Sequence, residues 1–302
     1  MSAAPITRAV AEFASSLTFE RVPAQAVPRV KAAFADCIGV ILQGSGLPVG
    51  RIALDFAGGA KRKAGERYLG ALGLSAPQTG LIYGTASHAL DFDDTGLNGH
   101  PSAILVPAIL AAAEKYPADG RRMITAYLAG FETWAELSSR DADSHHEKGW
   151  HPSPVFGVIA ATAAVANLRR LDADTTQCAI GIAASSAAGI CANFGTMMKP
   201  FQLGRAIQFG LEAVDIALLG LTSGAQALEA DLGLLRAFSP KGQVDTQRPV
   251  RLEQHWEFLT SGINIKLYPM CYATHRAIDA ALELARTHAL TPDEIEALEV
   301  EL

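Results

Sequence analysis

With 302 residues, 49% of them hydrophobic and only 19% charged, the chain can bury a large core, and its composition excludes a disordered or fibrous protein. A formal charge of -6 argues against a nucleic-acid binder, whose surface would be basic. The length admits one large domain or two. Cys37, Cys178, Cys191 and Cys271 show no C-x-x-C pair or metal-ligand spacing and read as reduced thiols. The start, MSAAPITRAVAEFASSL, lacks a continuous apolar stretch, and the most apolar run, Val155 to Ala166, is too short to span a bilayer. The expectation is a soluble cytoplasmic protein with no membrane or nucleic-acid partner.

In chain order, helical periodicity dominates. Apolar positions recur three and four residues apart over Ile6 to Leu17 and Pro28 to Leu42, and Arg51 to Ala57 continues helically. The basic run KRK at 61–63 reads as a solvated turn. Ser75 is a plausible N-cap for a helix that runs through Gly84 toward Thr95. Ile104 to Lys115 should be buried, and Asp119 caps a helix to about Leu137 whose Glu132 and Glu136 read as surface residues without chemistry. Helices over Pro154–Leu168 and Thr175–Ala188 are rich in small residues, which favours close packing. A long helix follows from about Gly204 to Gly220, then a short one near Leu234, and another beginning at His275. The tail IEALEVEL alternates Leu298, Val300 and Leu302 with glutamates, as a half-buried strand would.

Gly84 to Pro107, GTASHALDFDDTGLNGHPSAILVP, holds the densest group of ionisable residues. Read as a helix to Thr95, it aligns His88, Asp91 and Thr95, puts Asp94 beside them and turns Asp93 to the opposite side. Gly96 and Gly99 end that helix, and His100 is driven to an extended conformation by Pro101. Groups able to shift one another's pKa are thus crowded into one segment, which points to function. His151 before Pro152, Lys199 before Pro200, and Lys266 before Tyr268-Pro269 add basic groups on loops between helices. Each lysine alone reads as a surface residue; together, in a net-acidic protein, they suit a multiply anionic small molecule. An aspartate-rich helix would also serve a magnesium-dependent isoprenoid synthase, but no second magnesium motif follows downstream.

The motifs HALDFDDT…HPS, GWHPSP, KPFQLGRA and IKLYPMCYATH, in this order, resemble the MmgE/PrpD family, which includes 2-methylcitrate dehydratase, cis-aconitate decarboxylase and iminodisuccinate epimerase. The resemblance spans essentially the whole chain. It implies a mainly α fold: a large all-helical domain over residues 1–265, then the beginning of a small α/β lid over 266–302, truncated relative to the longer family members. It implies a homodimer, no metal and no cofactor, and a small polycarboxylate substrate. By the same resemblance Asp91, His100, His151 and Lys266 are catalytic, and Thr95, Lys199 and His275 bind substrate. His100 would transfer the proton with Asp91 tuning it, Lys199 and Lys266 would hold carboxylates and stabilise an enediolate-like state, and His151 would bind or protonate the departing group. A 2-methylcitrate dehydratase-like hydro-lyase is the leading expectation. Decarboxylase-like members carry a longer insert beginning Trp-His where this chain has only GLNG between Thr95 and His100, so decarboxylation and epimerisation rank behind. A chain naturally ending at Leu302 would lack most of the lid, making a non-catalytic remnant or one half of a split enzyme the alternative of another class.

Overall fold

The structure, a computed structural model, describes residues 5–59, 63, 65–70 and 72–301. It is mainly α. Twelve α-helices follow one another among these residues: α1 Ile6–Ser16, α2 Ala26–Ser45, α3 Pro48–Phe56, α4 Ala76–Ser87, α5 Pro101–Lys115, α6 Gly120–Ser138, α7 Pro152–Leu168, α8 Ala173–Ala184, α9 Met198–Leu218, α10 Leu234–Phe238, α11 Glu257–Thr260 and α12 His275–His288. Of the KRK run only Lys63 lies inside the described residues, and it is exposed.

α7 is the centre of the bundle. All of its residues are buried, as its mostly apolar side chains require, and it packs on α5, α6, α8 and α9. α4 is almost as enclosed. Its start is fixed by Ser75, whose hydroxyl accepts from Gln78 N while the Gln78 side chain returns to Ser75 N. α4 and α9 run antiparallel at very close range: a Cβ on Gly84 would lie 3.0 Å from Gly204 Cα, and one on Gly204 only 2.3 Å from Leu81 O. That approach needs glycine on both helices. It brings the first turn of α9, with Lys199 and Gln202, beside the last turn of α4.

Three expectations are corrected here. α4 stops at Ser87, with His88 as its C-cap, and does not reach Thr95; aspartates beyond a helix C-terminus oppose the macrodipole, and Asp91 takes a left-handed backbone with φ 51°. Glu132 and Glu136 are buried, because both face the 245–260 segment that lies across α6. The alternating tail forms no strand among the described residues: 295–301 has no partner ladder and is exposed. No single described helix is long and apolar enough to cross a membrane.

Candidate active site

Beyond α4 the chain folds back on itself and carries its acidic residues to three different places. Thr95 exchanges backbone hydrogen bonds with Asn264 (3.0 and 2.8 Å), and Gly96 pairs with Gly99 across a tight turn in which Leu97 and Asn98 both have positive φ. The turn delivers His100 to the N-cap of α5, with Pro101 in the first helical position, where its missing N–H costs nothing. His151 holds the same place before Pro152 at the start of α7. The His151 backbone is extended and that of His100 lies outside the helical region, as the following proline demands.

Asp93, expected to face away, is the partner of two imidazoles. Its Oδ1 accepts from His88 Nδ1 at 2.7 Å, and its Oδ2 lies 2.9 Å from His100 Nδ1. The His100 Nδ1 also lies 3.1 Å from the Asp94 carbonyl oxygen. Every neighbour of that nitrogen can only accept, so Nδ1 carries the hydrogen and Nε2 is the free ring nitrogen. The His88 and His100 ring centres lie 4.3 Å apart, with the rings tilted by 53°. Burial pushes His88 down to about 4, against the pull of Asp93, so it is neutral near pH 7. Burial alone would raise Asp93, but the two imidazoles hold it well below the usual carboxylate range. Asp94 is different: burial and the charge of Asp93 push it up to about 7, against the pull of Ser102, whose N–H donates to its Oδ1 at 3.2 Å.

Asp91, expected to tune His100, is instead clamped by two lysines. Lys199 donates to Oδ2 at 2.7 Å, and Lys266 donates to Oδ1 and to the Asp91 carbonyl, both at 2.6 Å. Burial would raise the Asp91 carboxyl, but nearby imidazoles and these two ammonium groups keep it well below its ordinary value. The Lys266 side chain has no exposed surface, whereas Lys199 keeps 15%. His151 donates from Nδ1 to Gln202 Oε1 at 2.9 Å, an oxygen oriented by Gln202 Nε2 donating to Ile190 O. Burial drives His151 down to about 3, leaving Nε2 as a buried lone pair without a partner.

A cavity of about 470 Å³ joins these groups. Asp91, Thr95, His100, His151 and Lys199 line it, so five of the seven residues singled out in the sequence share one cleft. Lys266 lies beneath Asp91, off the cavity surface, and His275 is buried behind Tyr272, its ring 5.1 Å from that of the tyrosine. Reasoning from the sequence did not select Asp93, His146, Phe194 or Asn264. His88 and Asp93 carried a signal, as the remaining ionisable residues of the dense segment; Phe194 and Asn264 carried none. Ligand atoms of His88, Asp91, Asp93 and His100 lie within 4.8 Å of one another and could in principle surround a metal. The chemistry of the set does not favour a dication, because Lys199 and Lys266 already neutralise Asp91 and would repel it.

The family model for the MmgE/PrpD N-terminal domain matches residues 8–247. Among curated proteins, the chain is 28% identical to cis-aconitate decarboxylase of Mus musculus, over 88% of this chain and 56% of that protein. It is also 28% identical to the Homo sapiens cis-aconitate decarboxylase, with 93% and 60% covered. A cis-aconitate decarboxylase-like protein of Aspergillus oryzae is 29% identical, with 94% and 62% covered. The chain thus spans less than two thirds of the length of these relatives.

Proposed function

The chain belongs to the MmgE/PrpD family, and from that premise we propose that it is a lyase acting on a small di- or tricarboxylate through proton transfer at a carbon next to a carboxylate, without a metal ion. One observation carries the reading: His100 is anchored through Nδ1 to buried acceptors, and its free Nε2 belongs to a cleft shared with Lys199 and His151. Such an imidazole can hold or release a proton in a fixed direction. Lys199 has donors beyond the one bound to Asp91 and stabilises charge growing on a substrate carboxylate. Asp91 and Lys266 form its rigid base, so Lys266 acts on the substrate through Asp91. His151, neutral with an unpartnered lone pair on Nε2, is set to accept a hydrogen bond from substrate rather than to protonate a leaving group. Residues from 266 onward are taken as the start of a second, α/β unit.

The sequence put dehydration of a 2-methylcitrate-like hydroxy acid first. The names of the relatives favour decarboxylation of a cis-aconitate-like tricarboxylate, and we place that first. The tight turn at 96–99, shorter than in decarboxylase-like members, keeps dehydration as the second reading. Incubating the protein with each acid in deuterated water and following it by NMR tests both. Deuterium on carbon with loss of CO2 supports the first, loss of water with formation of a carbon–carbon double bond, deuterium entering only the remaining hydroxy acid by reversal, supports the second, and unchanged acids would sink the proposal. A homodimer is part of the proposal, supported by exposed Ile52 and Phe56 on α3 and Leu219 after α9; sedimentation showing only monomer at micromolar concentration would count against it.

A further inference from the structure

Two carboxylates on α6, neither of them lining the cleft, hold the segment that forms one wall of it. Glu136 accepts from Arg140 Nη2 at 2.6 Å and from Arg251 N at 3.1 Å. One helical turn earlier, Glu132, 3% exposed, accepts from Glu257 N and Phe258 N, both at 2.9 Å. Those are the first two N–H groups of α11, which no backbone carbonyl of a helix can satisfy. Phe258 then packs edge-on against Phe131 of α6, with ring centres 4.9 Å apart. Immediately past α11, Ser261, Gly262 and Asn264 line the cleft, Asn264 pairs with Thr95, and Lys266 reaches Asp91.

We propose that Glu132 is a positioning residue: by capping α11 it sets where the 261–266 wall stands, and through the Thr95–Asn264 pair and Lys266 it sets the shape of the carboxylate cleft. This rests on the cleft being the carboxylate site, and it assigns to Glu132 a part in substrate recognition without contact to substrate. The geometry supports transmission along this path because it has no slack. A Cβ on Gly96 would lie 2.8 Å from Gly262 O, so the wall and the acidic loop already touch. Above about pH 7, where its raised carboxyl is ionised, Glu132 offers two oxygens to two diverging N–H groups, whereas an amide would meet one of them with its own donor.

The test uses Glu132→Gln at pH 8, where the wild-type carboxyl is ionised, with amide hydrogen exchange read at Thr95 and Asn264 and titration calorimetry with cis-aconitate. Asn167→Ala is the control for general destabilisation, since Asn167 donates to Ala14 O and Leu17 O away from the cleft. Glu132→Gln should speed exchange at both amides at least 10-fold and weaken cis-aconitate binding at least 10-fold; Asn167→Ala should do neither. Should Glu132→Gln fail to fold, Glu257→Pro gives the same reading with a smaller effect. It deletes one of the two N–H groups at a first helical position that tolerates proline, after an extended Trp256. Unchanged exchange, unchanged affinity, or equal effects from Asn167→Ala would overturn the proposal and leave Glu132 as a stabilising cap. If the unmutated protein does not bind cis-aconitate, the carboxylate reading fails separately, and exchange at Thr95 and Asn264 still decides the role of Glu132.

Discussion

Lys199 is the cation with the most to do, since it bonds Asp91, lies over the Phe194 ring with Nζ 5.1 Å from its centre, and still reaches the cleft. Lys199→Ala should weaken polycarboxylate binding by about 10- to 100-fold, the range of a lost charge-assisted hydrogen bond in a partly dehydrated site. Calorimetry with cis-aconitate measures it, and wild-type affinity would remove Lys199 from substrate binding. Residue types were legible in the sequence here because histidine or lysine before a proline or proline turn marks a basic side chain held by a constrained backbone. Their partners were not. Asp93 rather than Asp91 pairs with His100 because the backbone leaves the helix at His88 and turns left-handed at Asp91, and one such residue redirects every side chain after it.

Most of helices α1 to α9 stand where the periodicity put them, although α4 ends at Ser87 instead of near Thr95 and α9 begins at Met198, six residues before the expected start, and Ser75 and Asp119 stand where capping chemistry placed them. Legibility fails for elements whose partners are far away along the chain. Glu132 and Glu136 carry the spacing of an exposed helical pair, and only a segment more than a hundred residues later makes them buried. The tail alternates like a strand, yet alternation provides a face and no partner. At this scale the turn between Thr95 and His100 can be tested through its glycine. Gly96→Ala should lower the melting temperature and weaken polycarboxylate binding, because the new methyl collides with Gly262 O. Gly39→Ala, on α2 with no atom within 4 Å of the added carbon, should be neutral or stabilise by up to about 1 kcal/mol. Equal behaviour of the two variants would mean that the wall yields freely.

The whole molecule stores opposed titrations in one core. Asp94, raised from 3.8 to about 7, keeps a proton in the fold that the unfolded chain has released, so its contribution is full below about pH 4 and is lost as pH rises through 7. Glu132, raised to about 7, and Asp36, to about 6, have the same sign, burial being the first cause in both. His88 and His151, lowered by burial, act oppositely: their stability is present above about 6.5 and is lost as pH falls toward 4 and 3. Asp94→Asn should therefore flatten, without abolishing, the fall in melting temperature between pH 5 and 8. Thermal scans showing parallel curves for variant and wild type would place the Asp94 proton elsewhere.

The central claim, that His100 moves a proton at a carbon beside a carboxylate, is tested most directly by deuterium incorporation into cis-aconitate or its product. NMR would compare the wild-type protein and His100→Gln in deuterated water at equal concentration. Glutamine keeps much of the size and some hydrogen bonding but cannot cycle a proton, so incorporation should fall about 100-fold or more with binding little changed. Equal incorporation by the two proteins would contradict the account and move the proton to His151, a second cleft imidazole with a free nitrogen.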